Sequence, residues 1–139
     1  KLIAEYDPYL LDVEFNTIQK DKKLASYLKK SKCKLLISWH DFKKTPNESQ
    51  LKSRFNKMRK FSNVVKIVTV AKNVSDASRV LSLYSIKSKS KTVAFCMGDQ
   101  GKFSRILCLH LGSPFTYVSL EKAIAPGQFS VDEIKSLEN

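Results

Sequence analysis

Glycine is scarce in this chain, with four residues in 139. No Gly-rich phosphate loop follows the first apolar run, which weighs against a nucleotide-binding sheet. Few glycines and no low-complexity linker also imply one continuous domain, residues 1–139, long enough for a real core. Cysteine is rarer still. Cys33, Cys96 and Cys108 make an odd count with no CxxC pair, so they supply neither a disulfide framework nor a zinc site. Cys33 and Cys96 lie in or beside apolar runs, as buried thiols do, and a reducing, cytoplasmic compartment fits them best. No apolar run approaches membrane-spanning length and no signal-peptide core is present, so no membrane partner is expected. Acidic residues are short as well: 13 Asp and Glu stand against 25 Lys and Arg, a formal charge of +12. That surplus favours an anionic partner, either nucleic acid or an acidic metabolite. No arginine-glycine tract or aromatic-interleaved basic motif supports nucleic acid. The densest basic stretch, Lys20, Lys22, Lys23, Lys29, Lys30, Lys32 and Lys34, reads as a solvated helix face.

Five short apolar runs recur: Tyr9–Phe15, Lys34–Trp39, Val64–Val70, Thr92–Met97 and Phe115–Val118. They are rich in Val, Ile, Phe and Tyr, and most lack alternation, the pattern of strands covered on both faces. Stretches of helical length lie between them. Ile18–Lys30 puts Ile18, Leu24 and Leu28 on one stripe. Glu48–Lys60 carries Leu51, Phe55 and Met58, with Asn47 or Thr45 as a cap. Ser75–Tyr84 follows with Ser75 as its cap, then Gly101–Leu111, then Ser130–Leu137 with Val131, Ile134 and Leu137 on one face. The order alternates β and α five times, with strand starts spaced as βα units require. Five such units make either an open doubly wound sheet or part of a (β/α)₈ barrel, which takes about 250 residues when complete.

Within the third run stands Lys66, flanked by Val65 and Ile67. A buried ammonium finds an anionic partner or gives up its proton, and an unprotonated lysine amine can add to a carbonyl. In either architecture, sites form at the C-terminal ends of the strands. There the chain places Asp12 and Glu14, then His40, Met97 with Arg105 beyond it, and Gln128 in an Ala-Pro-Gly-Gln turn. Asp12 and Glu14 share a face by strand period. Taken singly, each has a plainer reading: a snorkelling strand lysine, a structural histidine, a surface arginine, a turn glutamine, a barrel-interior carboxylate. Together they have a chemical logic. An iminium on a lysine acidifies the neighbouring carbon, a histidine removes that proton and then protonates a departing hydroxyl, and an arginine grips a carboxylate bidentately.

The segment Ser38-Trp39-His40-Asp41-Phe42-Lys43-Lys44-Thr45-Pro46 resembles the (S/N)-x-H-D-F-x-x-T-P signature of type I 3-dehydroquinate dehydratase. The resemblance continues in order through Val65-Lys66-Ile67, Met97-Gly98 with Gly101 and Phe103-Ser104-Arg105, and Ala125-Pro126-Gly127-Gln128. Asp12-Val13-Glu14 is similar to the family's D-(L/V)-E strand. It implies a (β/α)₈ barrel, of which this chain supplies about the last five βα units. It also implies cofactor-free, metal-free dehydration of 3-dehydroquinate to 3-dehydroshikimate in the shikimate pathway. On that resemblance Lys66 forms the imine and His40 is the general acid and base. Arg105 binds the substrate carboxylate, Gln128 its hydroxyls, and Met97 lines the pocket. Asp12 is the first choice to orient His40 or the charge network around it, and Glu14 the second.

The chain departs from the family pattern at Ile124, where a polar residue is usual, and in lacking the first three strands with their E-x-R element. It begins with Lys1 rather than Met. The expectation is the C-terminal part of a longer enzyme, or a half-barrel completed by a partner or by self-association, which leaves a homodimer open. A class I aldolase-like barrel and a non-catalytic basic binding module are the alternative functions.

Overall fold

Residues 2–6, 8–120 and 124–137 are described by a computed structural model. After a short helix, α1 (Leu2–Glu5), four of the apolar runs become strands: β1 (Leu11–Glu14), β2 (Leu35–Asp41), β3 (Val64–Val70) and β4 (Lys91–Met97). They form one parallel sheet in the order β1-β2-β3-β4. Each connection carries helix: α2 (Phe15–Lys20) and α3 (Lys22–Lys30), then α4 (Glu48–Met58), then α5 (Val74–Leu81); α6 (Ser104–His110) and α7 (Val131–Leu137) follow β4.

Helices α2 to α5 cover one face of the sheet. Ile37, Trp39, Val65, Ile67, Ala94 and Cys96 point into a core shared with Phe15, Leu28, Leu51, Phe55, Met58 and Val80. Burying a Leu- or Phe-sized side chain here contributes about 1.5–3 kcal/mol. The opposite face is the interesting one. Strand period puts Asp12, Glu14, Ser38, His40, Lys66, Val68, Phe95 and Met97 on it. Its apolar part, Val68, Val93, Phe95 and Met97, packs with Cys108 and Phe115.

Three expectations need correction. The helix expected over Ile18–Lys30 is two helices, because Asp21 leaves helical geometry and its side chain caps α3 by accepting from Leu24 N at 2.8 Å. The cap of α5 is Asn73, not Ser75, with its side chain accepting from Asp76 N at 2.9 Å. The run Phe115–Val118 is not a strand; the chain there makes an isolated bridge, Ser119 to Ser130. The free edge of β4 is already occupied. Tyr84 Oη accepts from Ala94 N at 2.7 Å and donates to Ala94 O at 3.1 Å, and Ser104 Oγ accepts from Cys96 N at 2.8 Å. With those edge groups satisfied, the aromatic run folds over the open face instead.

Of the two cap candidates for α4, Asn47 takes the role, in a capping box with Gln50. Lys20, Lys22, Lys23, Lys29, Lys30, Lys32 and Lys34 are all solvent-exposed, while Leu24 and Leu28 turn inward. On α7 no residue is fully buried: Val131 and Ile134 of its apolar stripe are half-buried and Leu137 is exposed.

Candidate active site

The open face carries a pocket of about 280 Å³ at the C-terminal end of the sheet. His40, Lys66, Met97, Arg105 and Gln128 all line it, joined by Phe42, Val68, Phe95, Tyr117, Ile124 and Ala125. The volume lies near the lower end for small-molecule sites, enough for one compact carbocycle.

Lys66 is nearly buried and its ammonium has found a partner. Nζ lies 2.6 Å from Asp12 Oδ2 and 3.3 Å from Tyr117 Oη, and 4.6 Å above the centre of the Tyr117 ring. His40 is held by Glu14, with Nδ1 2.9 Å from Glu14 Oε2, while Asp12 takes the charge network beside it through Lys66. Register explains the pairing. Asp12 sits beside Leu36, four residues short of His40, or about 13 Å at the rise of a strand. Glu14 sits beside Ser38, two residues short, and its longer side chain reaches. A carboxylate acceptor puts the imidazole proton on Nδ1 and leaves Nε2 as a base. Phe42 stacks on the imidazole at 5.7 Å.

The loop after β2 explains the spacing of its motif. Asp41 Oδ1 accepts from the backbone N–H groups of Lys43 and Lys44, tightening the turn. Thr45 Oγ1 donates to Val70 O at 2.9 Å and lies 2.7 Å from Thr69 Oγ1, tying the loop to β3. So His40 is fixed from below by a carboxylate and from above by an anchored loop.

Arg105 stands at the start of α6, 3% exposed, with its guanidinium 4.6 Å over the Phe95 ring. Among the described residues no carboxylate pairs with it, and its Nε has no partner. Burial pushes its pKa below the ordinary arginine value. A buried cation in this state is completed by an incoming anion. Gly101 makes that placement possible, since a Cβ there would lie 2.5 Å from Cys96 Cβ.

The Ala125–Gln128 turn closes the rim. Gly98 N donates to Pro126 O at 3.1 Å, and Gly127, at φ +71°, lies against Gly98. Gln128 Oε1 accepts from the N–H groups of Ile124 and Ala125, so its amide NH₂ is the end left for a ligand. Ile124 itself is an exposed rim residue, and its contribution is that backbone donor. No group of three or more His, Cys, Asp or Glu among the described residues could hold a metal ion. No helix among them is long and apolar enough to cross a membrane.

Sequence reasoning missed Tyr117 and Phe42. The signal for Tyr117 was its alternation with Phe115 in the last apolar run, which puts both rings on one side; they pack edge to face at 5.7 Å.

The model of the type I 3-dehydroquinase family matches residues 1–138. The chain belongs to the type I 3-dehydroquinase family. It is 42% identical over 132 residues to the 3-dehydroquinate dehydratase of Pyrobaculum aerophilum, covering 94% of this chain and 42% of that protein. To the enzyme of Syntrophobacter fumaroxidans it is 42% identical over 120 residues, or 82% of this chain and 51% of that one. A solved type I dehydratase from Clostridium difficile superposes with a TM-score of 0.83 at 26% identity, covering 98% of this chain and 56% of its own. The Aquifex aeolicus structure gives 0.76 at 30% identity, with coverage of 94% and 59%. The chain thus spans about half the length of the curated relatives it matches. Its parallel sheet is part of the dehydroquinase (β/α)₈ barrel, and the candidate site lies on the face opposite α2 to α5.

Proposed function

We propose that this chain carries the reacting groups of a 3-dehydroquinate dehydratase, which removes water from 3-dehydroquinate through an imine on Lys66. The observation that carries the reading is a buried guanidinium lacking an anion, Arg105, in the same pocket as a lysine amine and a carboxylate-held histidine. A keto acid satisfies all three at once.

In this reading Arg105 takes the substrate carboxylate, and Gln128 donates its amide hydrogens to substrate hydroxyls. Asp12 holds Lys66 Nζ toward the ketone. The amine adds to the carbonyl carbon, and loss of water leaves an iminium. His40 Nε2 then takes a proton from the adjacent carbon, and the C–H electron pair flows toward the iminium nitrogen to give an enamine. The enamine pair returns to expel the β-hydroxyl, which leaves as water with the proton from His40. Water adds to the new iminium and releases the conjugated enone. Glu14 supports the imidazolium that exists between the two proton transfers. The iminium nitrogen is the electron sink throughout, and Met97, Phe95 and Val68 supply an apolar floor that strengthens these charges' interactions.

The test is turnover of 3-dehydroquinate, followed by the near-ultraviolet absorbance of the conjugated product. The reading expects turnover by the protein, none by Lys66→Ala, and a loss of about 10²–10⁴-fold in His40→Ala. A well-folded sample without turnover would count against it and return the alternative of a non-catalytic basic module.

A further inference from the structure

Lys66 Nζ has two neighbours in the pocket, and the mechanism above uses one. The second is Tyr117, with Oη at 3.3 Å and its ring at 4.6 Å. We infer that the Tyr117 hydroxyl is a further catalytic group, donating a hydrogen bond to the substrate's carbonyl oxygen as Lys66 adds to it. This rests on the Schiff-base reading of the same site.

The chemistry of addition needs such a donor. The Nζ lone pair forms the C–N bond, and the carbonyl π pair moves onto oxygen. His40 Nε2, a base at the outset, takes the proton that Lys66 Nζ sheds before it attacks, and the oxygen then takes one proton from the nitrogen and that one back from His40. The oxygen leaves as water while the nitrogen lone pair closes the C=N bond. Between these steps it carries negative charge one carbon away from Nζ. Asp12, on Nζ at 2.6 Å, accepts hydrogen bonds and repels an oxyanion. Arg105 and Gln128 are committed to the carboxylate and hydroxyls, and the one proton that His40 Nε2 carries is spent on the departing water. Among the described residues that line the pocket, Tyr117 carries the one hydroxyl. The oxygen on the carbon that Nζ attacks forms beside Nζ, in the pocket where the phenol already lies 3.3 Å from that nitrogen.

The phenol is also pre-positioned. Its ring packs on Phe95 at 6.1 Å and on Phe115 at 5.7 Å, so the hydroxyl does not have to be ordered during the reaction. Fixed donors aimed at developing charge are the productive kind.

Tyr117→Phe removes the hydroxyl and keeps the ring, its packing and its face toward Nζ. The experiment mixes protein with 3-dehydroquinate, quenches with borohydride at increasing times, and counts reduced adduct by intact mass. Tm is measured alongside. The inference expects adduct in Tyr117→Phe to appear about 10²–10³-fold more slowly at saturating substrate, with Tm unchanged. Adduct at the unmodified rate overturns it. A slow rate with a Tm lowered by several degrees assigns the hydroxyl a structural role and overturns it too. If the unmodified protein forms no adduct, the Schiff-base reading itself fails, a different result from either.

Discussion

Gly127→Ala separates the docking of the Gln128 turn from the stability of the fold. At φ +71° a Cβ would lie 2.6 Å from Gly98 O, 3.1 Å from Gly98 C and 3.3 Å from Gly98 N. All three are backbone atoms, so no side chain can swing aside. The left-handed conformation alone costs an alanine about 1–2 kcal/mol. The Gly98 N to Pro126 O bond, worth about 0.5–1.5 kcal/mol net, favours docking in parent and variant alike. The strain alone shifts the docked turn by about 1–2 kcal/mol, or about 5–30-fold in population, before the clash with Gly98 is counted. The turn sits on the rim and nothing in the main core rests on it. The variant therefore releases the turn and keeps the barrel arc. Steady-state kinetics should show kcat/KM reduced by about 10–100-fold, with a Tm within about 2 °C of the parent, since local opening need not propagate. Gly112→Ala is the control: its φ is +101°, yet nothing lies within 4 Å of the added Cβ. It carries the backbone strain without touching the site, so it should lower Tm slightly and leave kcat/KM intact. Unchanged kcat/KM in Gly127→Ala, or equal kinetic losses in both variants, would refute the reasoning.

Glu14→Gln keeps the size of the group that holds His40 but removes its charge; kcat should fall about 10²-fold or more, with KM changed little, in initial-rate measurements. Arg105→Met removes the buried cation, so KM should rise by about two orders of magnitude or more, the expected scale for losing one side of a buried charge pair. Alkaline pH should weaken the fold. Burial raises the Cys96 and Cys108 thiols above their ordinary 9.0 and Tyr84 above its ordinary 10.0. The unfolded chain then loses these protons first, so the stability they contribute is whole below pH 9 and declines as pH rises beyond it. Thermal melts from pH 7 to 11 should show that decline, and Cys96→Ala should reduce its slope. Iodoacetamide should leave Cys96 and Cys108 unlabelled in the native protein and label both after denaturation.

Much of the site was legible because a parallel sheet imposes order on sequence. Val64–Val70 could be read as a strand because it is apolar on both sides, and Lys66 stood out against that background. His40, Arg105 and Gln128 follow strand ends or rim turns, so their convergence needed only parallel strands. What failed needed lateral information. Asp12 and Glu14 share a face, and which of them meets His40 is a matter of register between β1 and β2. Phe115–Val118 has strand composition, but Tyr84 and Ser104 had already satisfied the edge groups of Ala94 and Cys96. Asp21 looked like one more polar residue on a long helix, and it is the cap that divides α2 from α3.

Peptide mapping after borohydride reduction with 3-dehydroquinate tests the central claim most directly. The account predicts one reduced, substrate-derived adduct, on the peptide containing Lys66, absent from Lys66→Ala and absent without substrate. Unmodified Lys66 in a folded, substrate-exposed sample, or an adduct spread over the surface lysines, would contradict it.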